Sequence, residues 1–393
     1  FKIFFNIGEL YLFLFSLIIC ASFFPVEICT KQSLSLFKSK PINSQSIAIL
    51  SPNCISAGKS SLCNLILKFI LKDIYMKLKE ILVFGASGQI GRHLIRKLTR
   101  NNCKVTAVTR NYHQKAYILK TQANPGYLEI IESSIYDYNK ISNLFKNSEI
   151  CINLVGILNE DKKNTFKKIH SLFPSILAKM CKENGLKQMI HISALGVENS
   201  IDSKYAQSKL EGEKLVKKNF SDATILKPSL VYSVDDSFTT RFFTLLNILP
   251  IFPIYYNGRT KFAPIHVTDL AEIIYKVVEK KIIGNTIECV GPQIFSFKEI
   301  IKILLNSLDK KRILFNMPLP IAKIFAKTIQ SIMPNPIFTS DQLNLLKYDN
   351  IPSGNYKTNF DFNINANLHL ASEIEKYSYM WKESGQYSKK ISD

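Results

Sequence analysis

The chain has 393 residues, of which 46% are hydrophobic and 21% are charged, so it can form one large domain or two of ordinary size. Its formal net charge is +20, but no basic run is interleaved with aromatic residues and no nucleic-acid motif occurs, which argues against a nucleic-acid-binding protein. None of the 8 cysteines forms a CxxC pair or a metal-ligand spacing, so no metal site is predicted and a reducing, cytosol-like compartment is favoured.

The first 75 residues carry no strong pattern. Residues 10–26 lack charge and are rich in phenylalanine, leucine and isoleucine, close to the shortest length that spans a bilayer. The chain starts with Phe1 rather than methionine, and Met76 leads directly into the first clear motif. We interpret residues 1–75 as an N-terminal extension with a mis-assigned start, and the alternative is a membrane anchor.

The clearest motif is a glycine-rich turn between an apolar strand and an amphipathic helix. Gly85 permits a tight turn, Gly88 lets the backbone approach a pyrophosphate, and Gly91 lets the helix pack closely on the strand. The free amide groups and the positive end of the helix dipole would then face the phosphates. The residues of this turn that we predict to bind a dinucleotide are Gly85, Ser87, Gly88, Gln89, Ile90 and Gly91.

The following strands supply further candidates for cofactor binding. The strand over residues 104–109 ends at Arg110, where an arginine can accommodate the 2′-phosphate of NADP and an acid would accept the 2′-hydroxyl of NAD. Because no acid adjoins Arg110, NADP(H) is preferred and NAD(H) is the alternative. The apolar run 149–156 predicts another strand, whose end places Val155 and Gly156 near the ribose.

A strand over residues 188–193 delivers Ser193 to the carboxyl edge of the sheet, and Tyr205 and Lys209 follow at i and i+4 on a helix. Lys209 would lower the pKa of the Tyr205 phenol and contact the ribose. Tyr205 could then pass a proton to a carbonyl that Ser193 holds. The next strand ends at Pro228, which would close over the nicotinamide.

Strands and helices alternate from residue 76 onward, which predicts an α/β fold. We expect a Rossmann-type doubly wound parallel sheet over residues 76–234 and a smaller C-terminal substrate or docking subdomain over residues 235–358. A loosely ordered tail is expected over residues 359–393. Residues 318–333 form an amphipathic segment with Lys323 and Lys327 on its polar side, which suits a membrane or a partner, although packing against the domain is the commoner explanation.

These motifs resemble the short-chain dehydrogenase/reductase superfamily over about residues 79–305. Within it, the chain is most similar to an atypical branch that contains the nucleotide-binding accessory subunit of respiratory complex I (NADH:ubiquinone oxidoreductase) and its bacterial homologues. The carrying stretches are 191–196, 203–214, 225–229, 333–343 and 346–350. The spacing from Ser193 to Tyr205 is one residue shorter than in typical catalytic members.

The resemblance implies a tightly held NADPH and a role as accessory or assembly factor of complex I. We expect a cytoplasmic location, with peripheral contact to the inner membrane. The N-terminal extension, if translated, would make the protein membrane-anchored. The alternative is a soluble NADP-dependent reductase or epimerase that acts on a carbonyl or nucleotide-sugar substrate through Ser193, Tyr205 and Lys209.

Overall fold

The computed structural model describes residues 78–332, 339–382 and 385. The predictions for residues 1–75 and for the proline-rich stretch 333–338 therefore lie outside the described residues. Among the described residues, no helix has both the length and the apolar character needed to cross a bilayer.

The described part of the chain alternates strands and helices. Its strands, in chain order, are β1 (Lys79–Phe84), β2 (Cys103–Thr109), β3 (Leu128–Glu132), β4 (Ile150–Asn153), β5 (Gln188–Ile192), β6 (Thr224–Pro228), β7 (Val231–Tyr232), β8 (Ile251–Ile254), β9 (Lys261–Phe262), β10 (Ile265–His266), β11 (Thr286–Cys289), β12 (Phe295–Ser296), β13 (Ile313–Asn316) and β14 (Lys357–Thr358). Its α-helices are α1 (Gln89–Arg100), α2 (Tyr112–Lys120), α3 (Tyr138–Phe145), α4 (Phe173–Glu183), α5 (Lys204–Asn219), α6 (Thr239–Ile248), α7 (Val267–Glu279), α8 (Phe297–Ser307), α9 (Leu319–Ile332), α10 (Ser340–Leu345) and α11 (Leu370–Ser378). A π-helix (Lys167–Leu172) runs directly into α4.

One parallel sheet organises the fold. Its strand order is β14-β11-β6-β5-β4-β1-β2-β3, and every neighbouring pair is parallel. The order reverses between β1 and β4, and ligands of such sheets bind outside the carboxyl ends of the strands at that point. The predicted Rossmann-type doubly wound sheet is confirmed.

The side chains of β1 explain why helices cover both faces of this sheet. Ile81 and Val83 point into a core cluster shared with α1 and α7, whereas Leu82 and Phe84 point into a second cluster shared with α3, α4 and α5. All four are almost fully buried, and each such burial stabilises the fold by about 1.5–3 kcal/mol. A strand buried on both faces is therefore continuously apolar, as this sequence is.

The C-terminal part has its own core, but it does not begin cleanly at residue 235. Three small strand pairs, β7 with β10, β8 with β13 and β9 with β12, lie beside a third core cluster formed largely by α6, α8 and α11. However, β11 pairs with β6, β14 pairs with β11, and α7 packs on α1. The main sheet thus includes strands from the predicted C-terminal subdomain. Without β11, the edge of β6 would expose unpaired backbone hydrogen-bonding groups.

Residues 359–382 also differ from the expectation of a loosely ordered tail. They contain a 3-10 turn (Phe360–Phe362), α11 and a second 3-10 turn (Tyr379–Trp381). The ring of Trp381 stacks on Phe243 at a centroid distance of 4.9 Å. Burial of aromatic surface therefore orders a segment whose polar composition hid the few residues that anchor it.

Candidate functional site

The glycine turn has the close packing that its sequence predicted. Gly85 has a φ of +77°, a left-handed conformation that glycine adopts without strain. A Cβ on Gly91 would lie 2.3 Å from the carbonyl oxygen of Ala86, so no other residue fits there without moving the backbone. The N-terminus of α1 has no side-chain cap and no acidic residue in its first turn. This cradle therefore fits the pyrophosphate of a dinucleotide.

Three side chains near this turn connect it to other elements. The Thr109 hydroxyl donates to Ser87 Oγ at 3.3 Å, and Gln89 Nε2 donates to Ser233 Oγ at 2.9 Å. Arg92, one turn into α1, forms an ion pair with Asp235 at 2.5 Å. The segment after β7 thus lies against the start of α1 and forms a wall of the candidate site. The sequence pattern did not point to Ser233 or Asp235.

Arg110 follows the end of β2 directly and is exposed. Hydrogen bonds from Asn164 and from the Lys163 amide hold the pKa of Asp161 below its ordinary value, and the nearby Arg110 acts in the same direction. Arg110 therefore has a carboxylate close to it in space, although it has none beside it in sequence. Its position at the strand end is the one predicted for a residue that reads the adenosine ribose.

The exit of β4 is held by Asn153. Its Oδ1 accepts a hydrogen bond from the Val155 amide at 3.1 Å, and its Nδ2 lies 3.1 Å from His191 Nδ1. The strand therefore ends at Asn153 rather than continuing to Gly156 as predicted. Burial, with a smaller effect of Lys209, lowers the pKa of His191 to about 3, so its imidazole is neutral. His191 is a packed histidine of the core, as its position within β5 suggests.

Gly156 and Lys209 come together from different elements. A Cβ on Gly156 would lie 3.4 Å from Lys209 Nζ. Lys209 is only 4% exposed, and its Nζ donates to the carbonyl oxygen of Ile192 at 3.1 Å. Burial lowers the pKa of Lys209 to about 8. This arrangement brings two of the predicted ribose-contacting residues to the carboxyl edge of β4 and β5.

Tyr205 occupies the same face of α5 as Lys209, but its environment differs from the prediction. The ring makes edge-on contacts with Phe166 and His170, at centroid distances of 5.8 and 5.2 Å. Burial, with a contribution from the Asp341 carboxylate, raises the pKa of Tyr205 to about 12. The expected lowering of this pKa by Lys209 is therefore not observed, because desolvation and a nearby negative charge both disfavour the phenolate.

Ser193 is bound into a buried ionic network. Its hydroxyl donates to the Glu213 carboxylate, and Glu213 pairs with Lys227 Nζ at 2.9 Å. The Lys227 side chain is 0% exposed, pairs also with Glu198, and places its Nζ 4.5 Å from the centre of the Tyr356 ring. No hydrogen bond joins Ser193 to Tyr205 within the described part of the chain. Ser193, Tyr205 and Lys209 thus lie at the carboxyl edge of the sheet, but the serine hydroxyl is bonded to Glu213 and not to Tyr205.

Burial raises the pKa of Glu213, and Lys227 and Ser193 oppose that rise. Burial alone would lower the pKa of Lys227, but its two carboxylate partners outweigh this effect and raise it. Sequence reasoning missed this network. The spacing of Glu213, one turn beyond Lys209 on the same helix face, was the available signal for it.

His170 was also missed, and it lies in the π-helix that precedes α4. Its Nε2 accepts a hydrogen bond from the Ile157 amide at 3.1 Å, so the proton is assigned to Nδ1, which lies 2.9 Å from Ser208 Oγ. Burial lowers the pKa of His170 to about 2. A Cβ on Gly212 would lie 1.9 Å from the His170 carbonyl oxygen. The neutral imidazole thus connects the loop after β4 to α5.

The C-terminal segment 339–350 contacts the carboxyl edge of the sheet through hydrogen bonds. The Asp341 carboxylate accepts hydrogen bonds from Ser203 Oγ at 2.8 Å and from the Tyr205 amide at 3.1 Å, which caps α5. Asn350 Nδ2 donates to the Leu195 carbonyl at 2.7 Å. Part of the stretch on which the family resemblance depended therefore contacts the candidate site directly.

Pro228 ends β6 beside Cys289 of β11, and Ser229 follows it. The Ser229 hydroxyl donates to Asn350 Oδ1 at 2.6 Å. Pro228 therefore lies at the carboxyl edge of the sheet, next to the C-terminal segment 339–350.

Residues 81–289 match a protein family that is described as the NAD dependent epimerase/dehydratase family. The chain is similar to the NADH-ubiquinone oxidoreductase 40 kDa subunit, mitochondrial, of Neurospora crassa, with 24% identity over 77% of this chain and 78% of that protein. It is also similar to NADH dehydrogenase [ubiquinone] 1 alpha subcomplex subunit 9, mitochondrial, of Arabidopsis thaliana, with 27% identity over 70% of this chain and 71% of that protein.

Among solved structures, the fold is similar to dTDP-glucose 4,6-dehydratase from Streptomyces venezuelae, which was crystallised with NAD bound. The TM-score is 0.58 at 16% identity, and the alignment covers 77% of this chain and 96% of that enzyme. This likeness concerns the fold alone.

Proposed function

Because the chain belongs to the NAD dependent epimerase/dehydratase family, we propose that it binds a nicotinamide dinucleotide as a long-lived structural cofactor. We propose further that it serves as an accessory subunit or assembly factor of respiratory complex I. The relatives named as complex I subunits support this role over most of the chain length. NADP(H) is the preferred cofactor, and contact with the inner membrane is peripheral.

The proposed cofactor site combines the turn before α1 with the edge formed by β4, β5 and α5. The backbone at Gly88 and the first turn of α1 would hold the pyrophosphate, and Arg110 would hold the 2′-phosphate. Gly156 and Lys209 would contact the nicotinamide ribose. The dinucleotide supplies hydride chemistry when bound, whereas these residues bind and orient it.

The hydrogen bond from Ser193 to Glu213 is the observation that carries the structural role. A serine that donates to a buried carboxylate is not available to hold a substrate carbonyl oxygen. Tyr205, whose pKa is raised to about 12, is also a weaker acid than an unperturbed tyrosine. Both features favour a bound cofactor that is not turned over.

We expect the purified protein to retain about one NADPH per chain through a long incubation with excess NADH, because a structural cofactor dissociates slowly. The measurement is denaturation followed by mass spectrometry of the released nucleotide. A site that is empty or exchanges freely would contradict a structural cofactor and favour the reductase or epimerase alternative.

A Tyr205→Phe variant separates the two functions further. A carbonyl reduction that disappears in this variant, while nucleotide binding persists, would contradict the structural role. Tyr117→Phe at an exposed position is the matched control, because its hydroxyl lies on the surface at 64% exposure.

We also expect Arg110→Ser to weaken NADPH binding by roughly 10- to 100-fold and to leave NADH binding nearly unchanged. A charge-assisted contact with a phosphate contributes about 1.5–3 kcal/mol, and NADH lacks the 2′-phosphate. Titration calorimetry of nucleotide-free protein with both nucleotides measures the two affinities. Arg100→Ser, an exposed arginine at the far end of α1, controls for net charge. Equal losses for both nucleotides would contradict the assignment of Arg110.

A further inference from the structure

Helix α9 exposes two of its isoleucines. Ala322 and Ala326, one turn apart, are buried against Tyr255 and Leu343. Ile321 and Ile324 are 56% and 67% exposed. Among the described side chains of this helix, small residues thus face the domain and two isoleucines face solvent, the reverse of the usual amphipathic arrangement.

The strand pair of β8 and β13 also exposes large apolar side chains. Ile251 of β8 and Ile313 of β13 are register neighbours and are 52% and 67% exposed. Phe315, two residues further along β13, is 51% exposed. The outward face of a half-buried strand pair normally alternates to polar residues, and here it is apolar.

We call this surface the isoleucine patch. It consists of Ile248, Ile251, Ile313, Phe315, Ile321 and Ile324. Only Met317 and Pro318 separate β13 from α9 along the chain. Large apolar side chains exposed on successive elements of the chain indicate an interaction site.

The sequence around the isoleucine patch carries one sign of charge. No aspartate or glutamate occurs over residues 237–268 or over residues 310–340. The charged residues of the second stretch are all basic, namely Lys310, Lys311, Arg312, Lys323 and Lys327. Such a surface complements an anionic partner.

The residue types distinguish a lipid surface from a protein surface. Protein interfaces are enriched in aromatic residues, methionine and arginine and are depleted in lysine. The patch is instead built mainly from isoleucine with exposed Lys323 and Lys327 on the same helix. Lysine stems can lie along apolar surface while the ammonium groups reach anionic headgroups.

We propose that the isoleucine patch docks on an anionic lipid surface, with the isoleucines at the headgroup–acyl boundary and the lysines on the headgroups. This inference rests on the proposed peripheral contact with the inner membrane and assigns a surface to it. The patch lies in the C-terminal part of the chain, on elements other than those of the proposed dinucleotide site.

The test uses the full chain with a local fluorescence probe. Ile324→Trp is made in a Trp381→Phe background, so that the introduced side chain is the reporter, and phosphatidylcholine vesicles contain about a third phosphatidylglycerol and a brominated lipid. We expect quenching of at least about twofold, because the probe enters the acyl boundary. Ile294→Trp, at a position that is 54% exposed outside the patch, should not be quenched. Equal quenching at both positions, or none at either, would overturn the proposal.

Vesicle partitioning tests the charge. Lys323→Gln with Lys327→Gln should reduce partitioning roughly 30-fold, whereas Lys179→Gln with Lys182→Gln on α4 should change it little. Equal reductions would mean that net charge alone drives binding and would contradict the patch. Loss of co-migration with a respiratory complex in patch variants that still bind vesicles would identify a protein partner instead.

The nucleotide content of each variant separates the two proposals. Quenching that persists in a protein without retained NADPH would contradict the cofactor role alone. Retained NADPH without quenching would contradict the lipid surface alone.

Discussion

Replacing Lys227 by methionine is expected to destabilise the fold by about 3 kcal/mol, because it leaves the buried Glu213 carboxylate and the partly exposed Glu198 carboxylate without their cation. The Lys227 side chain is 0% exposed, and it pairs with both Glu198 and Glu213. Methionine fills a similar volume, so the loss would come from charge rather than from a cavity. Urea denaturation near neutral pH measures this change.

The deficit should depend on pH in a defined direction. Burial already raises the pKa of Glu213, and loss of Lys227 would raise it further. In the variant, the native pKa of Glu213 therefore lies above its pKa in the unfolded chain. Between these two pKa values, the native state binds one proton more than the unfolded state. The variant's stability deficit should shrink as the pH falls through the native pKa of Glu213, so it should be smaller at about pH 5 than at about pH 8.

A second substitution and a surface control make this prediction specific. Glu213→Gln in the Lys227→Met background should restore part of the stability, since it removes one of the uncompensated charges. Lys104→Met breaks an ion pair with Glu80 at 3.4 Å between half-exposed side chains and should cost less than about 1 kcal/mol. A pH-independent deficit, or no rescue by Glu213→Gln, would contradict the electrostatic role of the network.

Replacing Gly212 by alanine is expected to destabilise the fold by roughly 3 kcal/mol through overpacking. Helix propensity alone predicts the opposite sign, because alanine is about 1 kcal/mol better than glycine within a helix. The new Cβ would lie 1.9 Å from the His170 carbonyl oxygen. Either α5 or the π-helix must therefore move.

The same displacement should loosen the candidate site. It would separate His170 from Ser208 and shift Lys209 away from Gly156, so retained NADPH should decrease together with the melting temperature. Lys214→Ala, at an exposed position of the same helix, should change stability by no more than about 0.5 kcal/mol. A Gly212→Ala protein as stable as the wild type would show that the close contact of the two helices is not required.

Local patterns predicted the geometry of the candidate site where the interacting residues are close in sequence. The turn at Gly85, Gly88 and Gly91 was identified because an apolar strand, tight glycine geometry and an amphipathic helix all lie within a few residues. Tyr205 and Lys209 were placed on one helix face for the same reason, since i and i+4 positions are adjacent in any α-helix. The Rossmann-type sheet followed from alternating strand and helix patterns.

The same reasoning failed where the partner is distant in sequence. The pKa of Tyr205 is raised rather than lowered, in part by Asp341 from α10. The predicted boundary at residue 235 did not anticipate that β11 and β14 complete the main sheet. Residues 359–382 are ordered because Trp381 stacks on Phe243, and their composition does not reveal that contact.

The sequence by itself determined the type of fold, the glycine turn between β1 and α1 and the residues that reach the carboxyl edge of the sheet. These depend on periodicity and on backbone geometry, which neighbouring residues encode directly. The tertiary structure decided the state of those residues, including the attachment of Ser193 to Glu213 and Lys227, the cap of Asp341 on α5, and the outward face of α9. Burial and charge pairing set these features, and both depend on which distant segments meet, which no local pattern specifies.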